Sequence, residues 1–330
     1  MHSRGNMLVS LRSRLKGLPL DAGWQLGFNR SFLQNARGAR ILVYHGICLQ
    51  DHLRFNTLFV KLKTFEAHLR LYKKYFNLVS IDDFYQQRFS DKQFNICLSF
   101  DDGFANNYKY VLPLLEQYQV PATFFVTGIR EAGYDILWND LLSIAQKYGP
   151  QKFTFMADRF VKGKDGRYRS SSTGKKIADT LRQTGFEDKS KMIRLLNSWK
   201  YTVQEDYWLQ MTIEEIRSLS QSKWATIGSH SYFHNDLAKI NSTALREDLG
   251  GSRSFLENVT GKEIKALAFP YGSYSTRVVD EAKRAGYSQL LATDFLFPGD
   301  AEDPALRERL TINPFISNIN QVYANITGKY

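Results

Sequence analysis

Short apolar runs alternate along the chain with segments in which apolar residues recur every three or four positions. The run Phe94–Phe100, FNICLSF, consists almost entirely of apolar or β-favouring residues. It stops at Asp101-Asp102-Gly103, and an aromatic-rich helical pattern follows. A run of this kind is typical of a strand that is covered on both faces in a parallel sheet.

Six further runs predict similar strands, and helical segments separate most of them. The seven predicted strands begin near Ile41, Phe94, Ala122, Ala225, Lys265, Gln289 and Leu310. Regular alternation of strands and helices favours parallel βα units. Because seven units in one domain fit a closed sheet better than an open one, the pattern predicts an α/β fold, a distorted (β/α)7 barrel.

The pattern changes between about residues 138 and 222. Helical patterns at 139–148 and 191–199 lie on either side of a polar, basic segment at 162–176. Thr212-Ile213-Glu214-Glu215 then matches a capping box, which restarts a regular helix before the next strand. We therefore predict a mostly helical insertion at about 138–222, within a barrel domain that spans residues 40–330.

Residues 1–39 form a separate basic segment. The chain has a net charge of +11, and its first 40 residues hold seven cations but one acid, Asp21. Leu8, Leu11, Leu15 and Leu18 recur there at helical spacing. The segment is either an amphipathic helix on an anionic membrane surface, or a packed terminal helix or solvated arm. No nucleic-acid-binding motif accompanies the charge, so nucleic acid is not an expected partner.

Other features of the chain favour the cytoplasm. No run of about 18 apolar residues predicts a membrane-spanning helix, and the N-terminal pattern lacks the apolar core and cleavage site of a secretory signal. The two cysteines, Cys48 and Cys97, lie in apolar surroundings and are expected to be buried free thiols. We expect a cytoplasmic protein, with contact to the inner membrane surface as an option.

Chemically versatile side chains follow four of the predicted strands. They are Asp101, Asp102, His230, His234, Pro270, Tyr271 and His45. Each has an ordinary structural alternative, since Asp-Gly and Pro-Tyr-Gly form turns and single or paired histidines are often structural. The carboxyl ends of parallel strands, however, meet at one rim of a barrel. Four such ends together therefore favour an active site.

Two histidines four residues apart and one carboxylate are a typical ligand set for a divalent metal. Asp102, His230 and His234 would leave positions open for water and substrate on Zn²⁺ or a similar ion. Non-haem iron oxygenases also use two histidines and one carboxylate. Here the carboxylate comes first, on an alternating βα chain, and this order disfavours an oxygenase.

In this combination of motifs the chain resembles the polysaccharide deacetylases of carbohydrate esterase family 4. The segment 99–103, SFDDG, matches the family's T/S-F-D-D-G motif, and 230–234, HSYFH, matches H-S/T-x-x-H. The segment 269–272, FPYG, is similar to the third motif, R-x-P-Y, with Ala268 where the arginine would be. The resemblance covers about residues 40–316 and leaves the insertion unmatched.

Two departures from the family pattern indicate one branch of it. No histidine follows His234, so the family's late histidine motif is absent. The poly-N-acetylglucosamine deacetylase branch carries that histidine on an early strand, and the segment 41–45, ILVYH, resembles that arrangement. The same branch tolerates loss of the motif-three arginine.

The resemblance implies hydrolytic removal of acetyl groups from N-acetylated sugars of a polysaccharide or glycolipid. It assigns one divalent ion, zinc first with cobalt or nickel as alternatives, to Asp102, His230 and His234. It makes Asp101 the general base and His45 the acid that protonates the leaving amine. Pro270 and Tyr271 would belong to the oxyanion and substrate-binding site.

The sequence leaves alternatives open. A catalytically silent carbohydrate- or glycolipid-binding barrel would share the same fold. A cytoplasmic enzyme would meet lipid-linked or nucleotide-linked sugars, and the basic N-terminus would suit a lipid-linked one. The aromatic residues of the insertion either stack on sugar faces or pack its core; they are Trp138, Trp199, Tyr201, Tyr207 and Trp208. N- and O-deacetylation and the oligomeric state also stay open.

Overall fold

The computed structural model describes Asp21, Gly23, residues 30–52 and residues 56–330. The predicted amphipathic helix with Leu8 and Leu18 lies outside the described residues. The strands are, in chain order, β1 (Ala39–Tyr44), β2 (Ile47–Cys48), β3 (Val60–Lys61), β4 (Phe76–Leu78), β5 (Phe94–Phe100), β6 (Ala122–Val126), β7 (Lys152–Phe155), β8 (Asp158–Lys162), β9 (Tyr168–Ser170), β10 (Ala225–Ser229), β11 (Ala266–Ala268), β12 (Gln289–Ala292) and β13 (Leu306–Thr311).

The helices separate the strands in the alternation that the sequence predicts. They are α1 (Arg30–Asn35), α2 (Leu62–Tyr75), α3 (Ile81–Tyr85), α4 (Leu112–Tyr118), α5 (Trp138–Tyr148), α6 (Ile177–Arg182), α7 (Phe186–Leu196), α8 (Ile213–Gln221), α9 (Ser242–Thr260), α10 (Thr276–Arg284) and α11 (Asn318–Thr327). A π-helical turn (Asn107–Val111) precedes α4, and 3-10 turns lie at Asn197–Thr202, Glu205–Tyr207, Pro270–Gly272 and Asp300–Glu302. Among the described helices, none has the length and apolar character that a bilayer crossing needs.

Seven parallel strands close into a barrel in the order β1-β13-β12-β11-β10-β6-β5, and β5 pairs again with β1. β4 adds to the start of β5, next to the part of β5 that pairs with β6. All seven residues of β5 are buried, because one face of the strand meets the barrel interior and the other meets the helices. The predicted (β/α)7 barrel is confirmed.

The last strand begins and ends earlier in the sequence than predicted. The sequence predicts a strand at 310–316, whereas β13 runs from Leu306 to Thr311. The charged stretch Arg307-Glu308-Arg309 hides this strand from a search for apolar runs. Its arginines are accommodated because β13 pairs with both β12 and β1, and Arg309 points into the barrel.

Apolar side chains fill the inside of the barrel. Ile41, Cys97, Phe125 and Leu291, each from a different strand, form this inner cluster. A larger cluster packs the outside of the barrel against its surrounding helices. Cys48 and Cys97 are buried free thiols, as predicted.

The insertion has its own apolar core and contains more than helices. Strands β7, β8 and β9 form an antiparallel three-stranded sheet, and the third lies within the predicted polar loop at 162–176. The predicted capping box is present: the Thr212 side chain accepts from the Glu215 backbone N–H, and Glu215 accepts from that of Thr212. Four of the five aromatic residues named above lie in or against the insertion core: Trp138, Trp199, Tyr207 and Trp208.

We expect a buried histidine outside the active site to contribute to acid denaturation. His68 on α2 lies with its Nδ1 2.9 Å from the Tyr44 hydroxyl, and burial lowers its pKa to about 4. Between pH 6.5 and 4 the unfolded chain therefore takes up a proton at this residue that the folded chain does not. This difference should lower the free energy of unfolding by about 3 kcal/mol across that range.

Urea unfolding at a series of pH values measures this contribution. The variant His68→Gln should show a shallower loss of stability between pH 6.5 and 4 than the wild type. His52→Gln, at a partly exposed histidine, is the matched control and should follow the wild-type profile. Parallel profiles for His68→Gln and wild type would contradict the assignment.

Candidate metal centre and active site

Three potential metal ligands meet where β5 and β10 end. The Asp102 Oδ1 atom lies 3.3 Å from His230 Nε2 and 3.2 Å from His234 Nε2. Ligands at the zinc distance of 2.0–2.1 Å in a tetrahedral arrangement are about 3.3 Å apart. All three residues are buried, and their ligand atoms lie within 4.8 Å of one another. The cluster can hold a divalent metal ion.

Hydrogen bonds behind the two histidines aim their Nε2 atoms at Asp102. His230 Nδ1 donates to the Ala268 carbonyl oxygen at 2.9 Å, so its Nε2 lone pair is free to bind a metal. His234 Nδ1 lies 3.1 Å from the Tyr271 hydroxyl. These contacts fit metal ligation, in which the second ring nitrogen of a histidine is normally hydrogen-bonded.

The backbone around the cluster is strained. Asp102, Ser231, His234 and Tyr271 have φ values between 52° and 74°, in the left-handed region that side chains other than glycine rarely adopt. Gly103 follows with φ 74°, where an added Cβ would lie 3.3 Å from the Val126 Cα. Strain of this kind concentrates at functional sites.

Buried polar groups hold the turn that carries the two histidines from two sides. This turn, residues 230–235, is called the histidine turn below. Asp248 on α9 accepts a hydrogen bond from the Tyr232 backbone N–H at 2.7 Å and from the Asn235 amide at 2.8 Å. Lys189 of the insertion reaches the same turn and donates to Asn235 Oδ1 at 2.6 Å. Burial lowers the pKa of Lys189 to about 8.

The second carboxylate, Asp101, is not part of the ligand cluster but pairs with an arginine. Arg309 donates from Nη1 to Oδ1 and from Nη2 to Oδ2, both at 2.8 Å. Both side chains are buried, and Arg309 is only 4% exposed. Burial alone would raise the pKa of Asp101, but the Arg309 guanidinium and the nearby histidines hold it below its usual value.

Sequence reasoning missed Arg309. The resemblance to the third motif places an arginine at position 268, where the chain has alanine. The guanidinium comes instead from β13, two strands away in the barrel. The sequence does carry a signal for a strand here, since Leu306 and Leu310 bracket Arg309 in a stretch of sufficient length. The charged residues between the two leucines interrupt the apolar pattern, so the predicted strand begins only at Leu310.

A cavity of about 400 Å³ lies above the cluster. It is lined by six of the seven predicted site residues: His45, Asp101, Asp102, His230, His234 and Tyr271. Pro270 is buried beside Tyr271 but does not line the cavity. The His45 Nδ1 atom is buried and has no hydrogen-bond partner among the described residues. The structure therefore brings the predicted residues together at one rim.

The insertion forms part of the same cavity, which the sequence analysis did not anticipate. Asn139, Asp140 and Ser143, all on α5, line it. A second cleft of about 350 Å³ adjoins the cavity and shares Asn139, Ser143 and Tyr271 with it. The Arg182 guanidinium lies 4.5 Å above the Tyr271 ring centre and also pairs with the buried Asp236 carboxylate at 2.7 Å.

Comparison with known proteins gives a family match and a fold match. The polysaccharide deacetylase family model matches residues 90–290. YxkH of Bacillus subtilis is 20% identical over 265 residues, which is 79% of this chain; the chain spans only 65% of the length of YxkH. The range 90–290 that the family model matches includes Asp102, His230 and His234 but neither His45 nor Arg309.

Two solved structures with similar folds align with 87% and 85% of the chain. The Streptococcus pyogenes deacetylase PplD, in complex with acetate, has a TM-score of 0.58 and 17% identity, covering 87% of this chain and 97% of PplD. A de-N-acetylase from Aggregatibacter actinomycetemcomitans has a TM-score of 0.52 and 17% identity, covering 85% of this chain and 95% of its own. Both are similar to this chain in fold.

The ion pair between Arg309 and Asp101 should be a large determinant of stability. Arg309→Met leaves a buried carboxylate without its partner, which typically costs about 3–5 kcal/mol. We expect a loss of this size in urea unfolding of the metal-free protein at pH 7. The double variant Asp101→Asn/Arg309→Met removes both charges and should recover most of the loss. A double variant as unstable as Arg309→Met would show that the charge pair is not the cause.

Proposed function

Because the chain belongs to the polysaccharide deacetylase family, we propose that it hydrolyses the acetamido group of an N-acetylated sugar in a polysaccharide or glycolipid, with one bound divalent metal ion. The observation that carries this proposal is the separation of roles between two adjacent carboxylates. Asp102 faces two imidazoles, while Asp101 is held apart by Arg309. A ligand and a base are both needed for metal-assisted hydrolysis.

The proposed ligands are Asp102, His230 and His234, and the proposed ion is zinc, with cobalt or nickel as alternatives. Two nitrogen donors and one carboxylate suit these ions. An ion bound there would lower the pKa of a coordinated water from 15.7 toward about 7 and supply a nucleophile near neutral pH.

Asp101 is the proposed general base. Its pKa is held low, so its carboxylate is ionised at neutral pH and can accept a proton from the attacking water. The bidentate pair with Arg309 uses one lone pair on each oxygen and fixes the plane of the carboxylate. Arg309 thus acts as a positioning residue.

His45 is the proposed acid for the leaving amine, and Tyr271 the proposed oxyanion donor through its backbone N–H. His45 lines the cavity, and its buried Nδ1 has no partner within the described part of the chain. Tyr271 also lines the cavity, on a turn that continues into Gly272, where an added Cβ would overlap the Thr293 hydroxyl. An oxyanion donor is worth roughly 3–4 kcal/mol where this has been measured.

Two observations bear on the substrate. The relative named as a de-N-acetylase supports an acetamido group over an acetate ester. Arg167, Lys176 and Arg182 line the adjoining cleft together with a single acid, Asp179. A cationic cleft beside the active site supports a sugar joined to phosphate, as in lipid-linked or nucleotide-linked precursors. Cytoplasmic location and membrane contact of residues 1–39 belong to the same proposal.

The deciding experiment measures acetate release from N-acetylated glycans by the metal-loaded protein. Candidate substrates are N-acetylglucosamine oligomers and lipid-linked N-acetylated sugars, and mass spectrometry follows the loss of one acetyl group. Excess chelator should abolish release, and added Zn²⁺ or Co²⁺ should restore it. Full activity in excess chelator would exclude the metal mechanism, and no release from any substrate would favour the silent binding barrel.

Asp101→Asn separates the base from the ligands. Loss of a general base typically lowers turnover by about 10²–10⁴-fold, while the three ligands stay in place. Calorimetric titration with Zn²⁺ should therefore give near-wild-type affinity for Asp101→Asn. His234→Gln is the matched variant and should lose both metal affinity and turnover. Wild-type turnover in Asp101→Asn would move the base role to another residue.

A further inference from the structure

We infer that the first turn of α5 is a sugar-binding wall of the active-site cavity and that Asp140 holds a hydroxyl group of the sugar that carries the acetyl group. This inference rests on the proposed deacetylase function and names a recognition residue for it. Asp140 comes from the insertion, lines the cavity beside the metal ligands and is only 3% exposed.

The Asp140 side chain lacks the partners that a buried carboxyl group needs. Its Oδ2 atom is buried without a hydrogen bond in the described part of the chain. The preceding two residues share this property, since Asn139 Oδ1 and Trp138 Nε1 are also buried and unpartnered. A buried polar group without a partner costs roughly 1–3 kcal/mol, so natural proteins rarely keep one without a functional reason.

Other buried carboxylates of this chain show the ordinary solution. Asp101 pairs with Arg309, and Asp248 accepts two hydrogen bonds from the histidine turn. Asp236 pairs with Arg182 through Oδ2, although its Oδ1 has no partner among the described residues. Asp140 also lines the cavity, but it differs from all three because no hydrogen bond or ion pair among the described residues involves its side chain. Its missing partner is therefore expected to come from a molecule that enters the cavity.

Helix capping does not account for Asp140. An acidic residue in the first turn often accepts from the backbone N–H of the N-cap residue. The N-cap residue of α5 is Leu137, which has no side-chain cap, and Asp140 makes no such bond. Asp140 also lies outside the group of potential metal ligands, which comprises Asp102, His230 and His234 among the described residues.

A sugar hydroxyl is the ligand that fits these facts. The acetamido group of the substrate must sit at the metal-ligand cluster, and the hydroxyls on the same ring extend from it toward the cavity walls. A hydroxyl can both donate to and accept from a carboxyl group. Asn139 and Ser143, on the same helix, also line the adjoining cleft, where the part of the substrate beyond this sugar would lie.

The test compares a glycan with an acetyl ester that has no sugar. N-acetylglucosamine oligomers probe the whole site, whereas p-nitrophenyl acetate probes the hydrolytic centre alone. Asp140→Ala should lower kcat/KM for the oligomers by about 10–100-fold, the loss expected from one or two hydrogen bonds. The same variant should hydrolyse p-nitrophenyl acetate within about twofold of wild type. Asp140→Asn, which keeps one acceptor and gains a donor, should be intermediate.

Two further measurements do not depend on turnover. Calorimetry of the metal-free protein should show weaker binding of the oligomers to Asp140→Ala than to wild type. Urea unfolding should show Asp140→Asn to be at least as stable as wild type, because an unpaired buried acid is removed. Asp91→Asn, at an exposed acid that lines neither the cavity nor the adjoining cleft, is the matched control and should leave hydrolysis of both substrates and stability unchanged.

The outcomes separate this inference from the function on which it rests. Equal losses on the ester and the oligomers in Asp140→Ala, or no loss on either, would overturn the role of Asp140. A wild-type protein that hydrolyses the ester but no N-acetylated glycan, and binds none, would overturn the proposed function as well.

Discussion

The arrangement of the active site depends on how the barrel accommodates adjacent carboxylates at the end of one buried strand. A carboxylate removed from water is stable only beside a positive or hydrogen-bonding partner. Arg309 provides this partner for Asp101 from β13, and the two imidazoles face Asp102 from the turn that follows β10. Both solutions require β13 and β10 to lie in one closed sheet with β5. Closure of the barrel is thus what allows the two acids to take different roles.

Much of the fold could be predicted because its strands are buried on both faces. β5 and β6 are buried throughout and consist mainly of apolar residues, and β5 ends at the charged pair Asp101-Asp102. β13 could not be placed correctly in the same way, since three of its six residues are charged. The antiparallel sheet of the insertion was missed for a related reason: β9 is short and lies between polar turns, so its burial depends on α5 rather than on its own sequence.

The residues of the candidate site also fall into a group that the sequence predicted and a group that it did not. The metal-ligand residues and Asp101 were predictable because each directly follows a strand that the sequence reveals. Arg309, Asp140 and Lys189 were not, since each reaches the site from an element whose position depends on tertiary packing. Arg309 also bears on the interpretation of Ala268: the chain lacks the arginine of the third motif, and a guanidinium from another strand pairs with Asp101.

The contact between Lys189 and Asn235 joins the insertion to the turn that carries the two histidines. The insertion, which differs most from the rest of the fold, is therefore also a brace for the proposed hydrolytic centre. Substitutions that adapt the insertion to a new glycan would alter the support of the histidine turn at the same time. Glycan specificity and the geometry of the proposed metal site are consequently expected to evolve together in this protein. Moving the insertion into another barrel would also require moving its contact with the histidine turn, the hydrogen bond from Lys189 to Asn235.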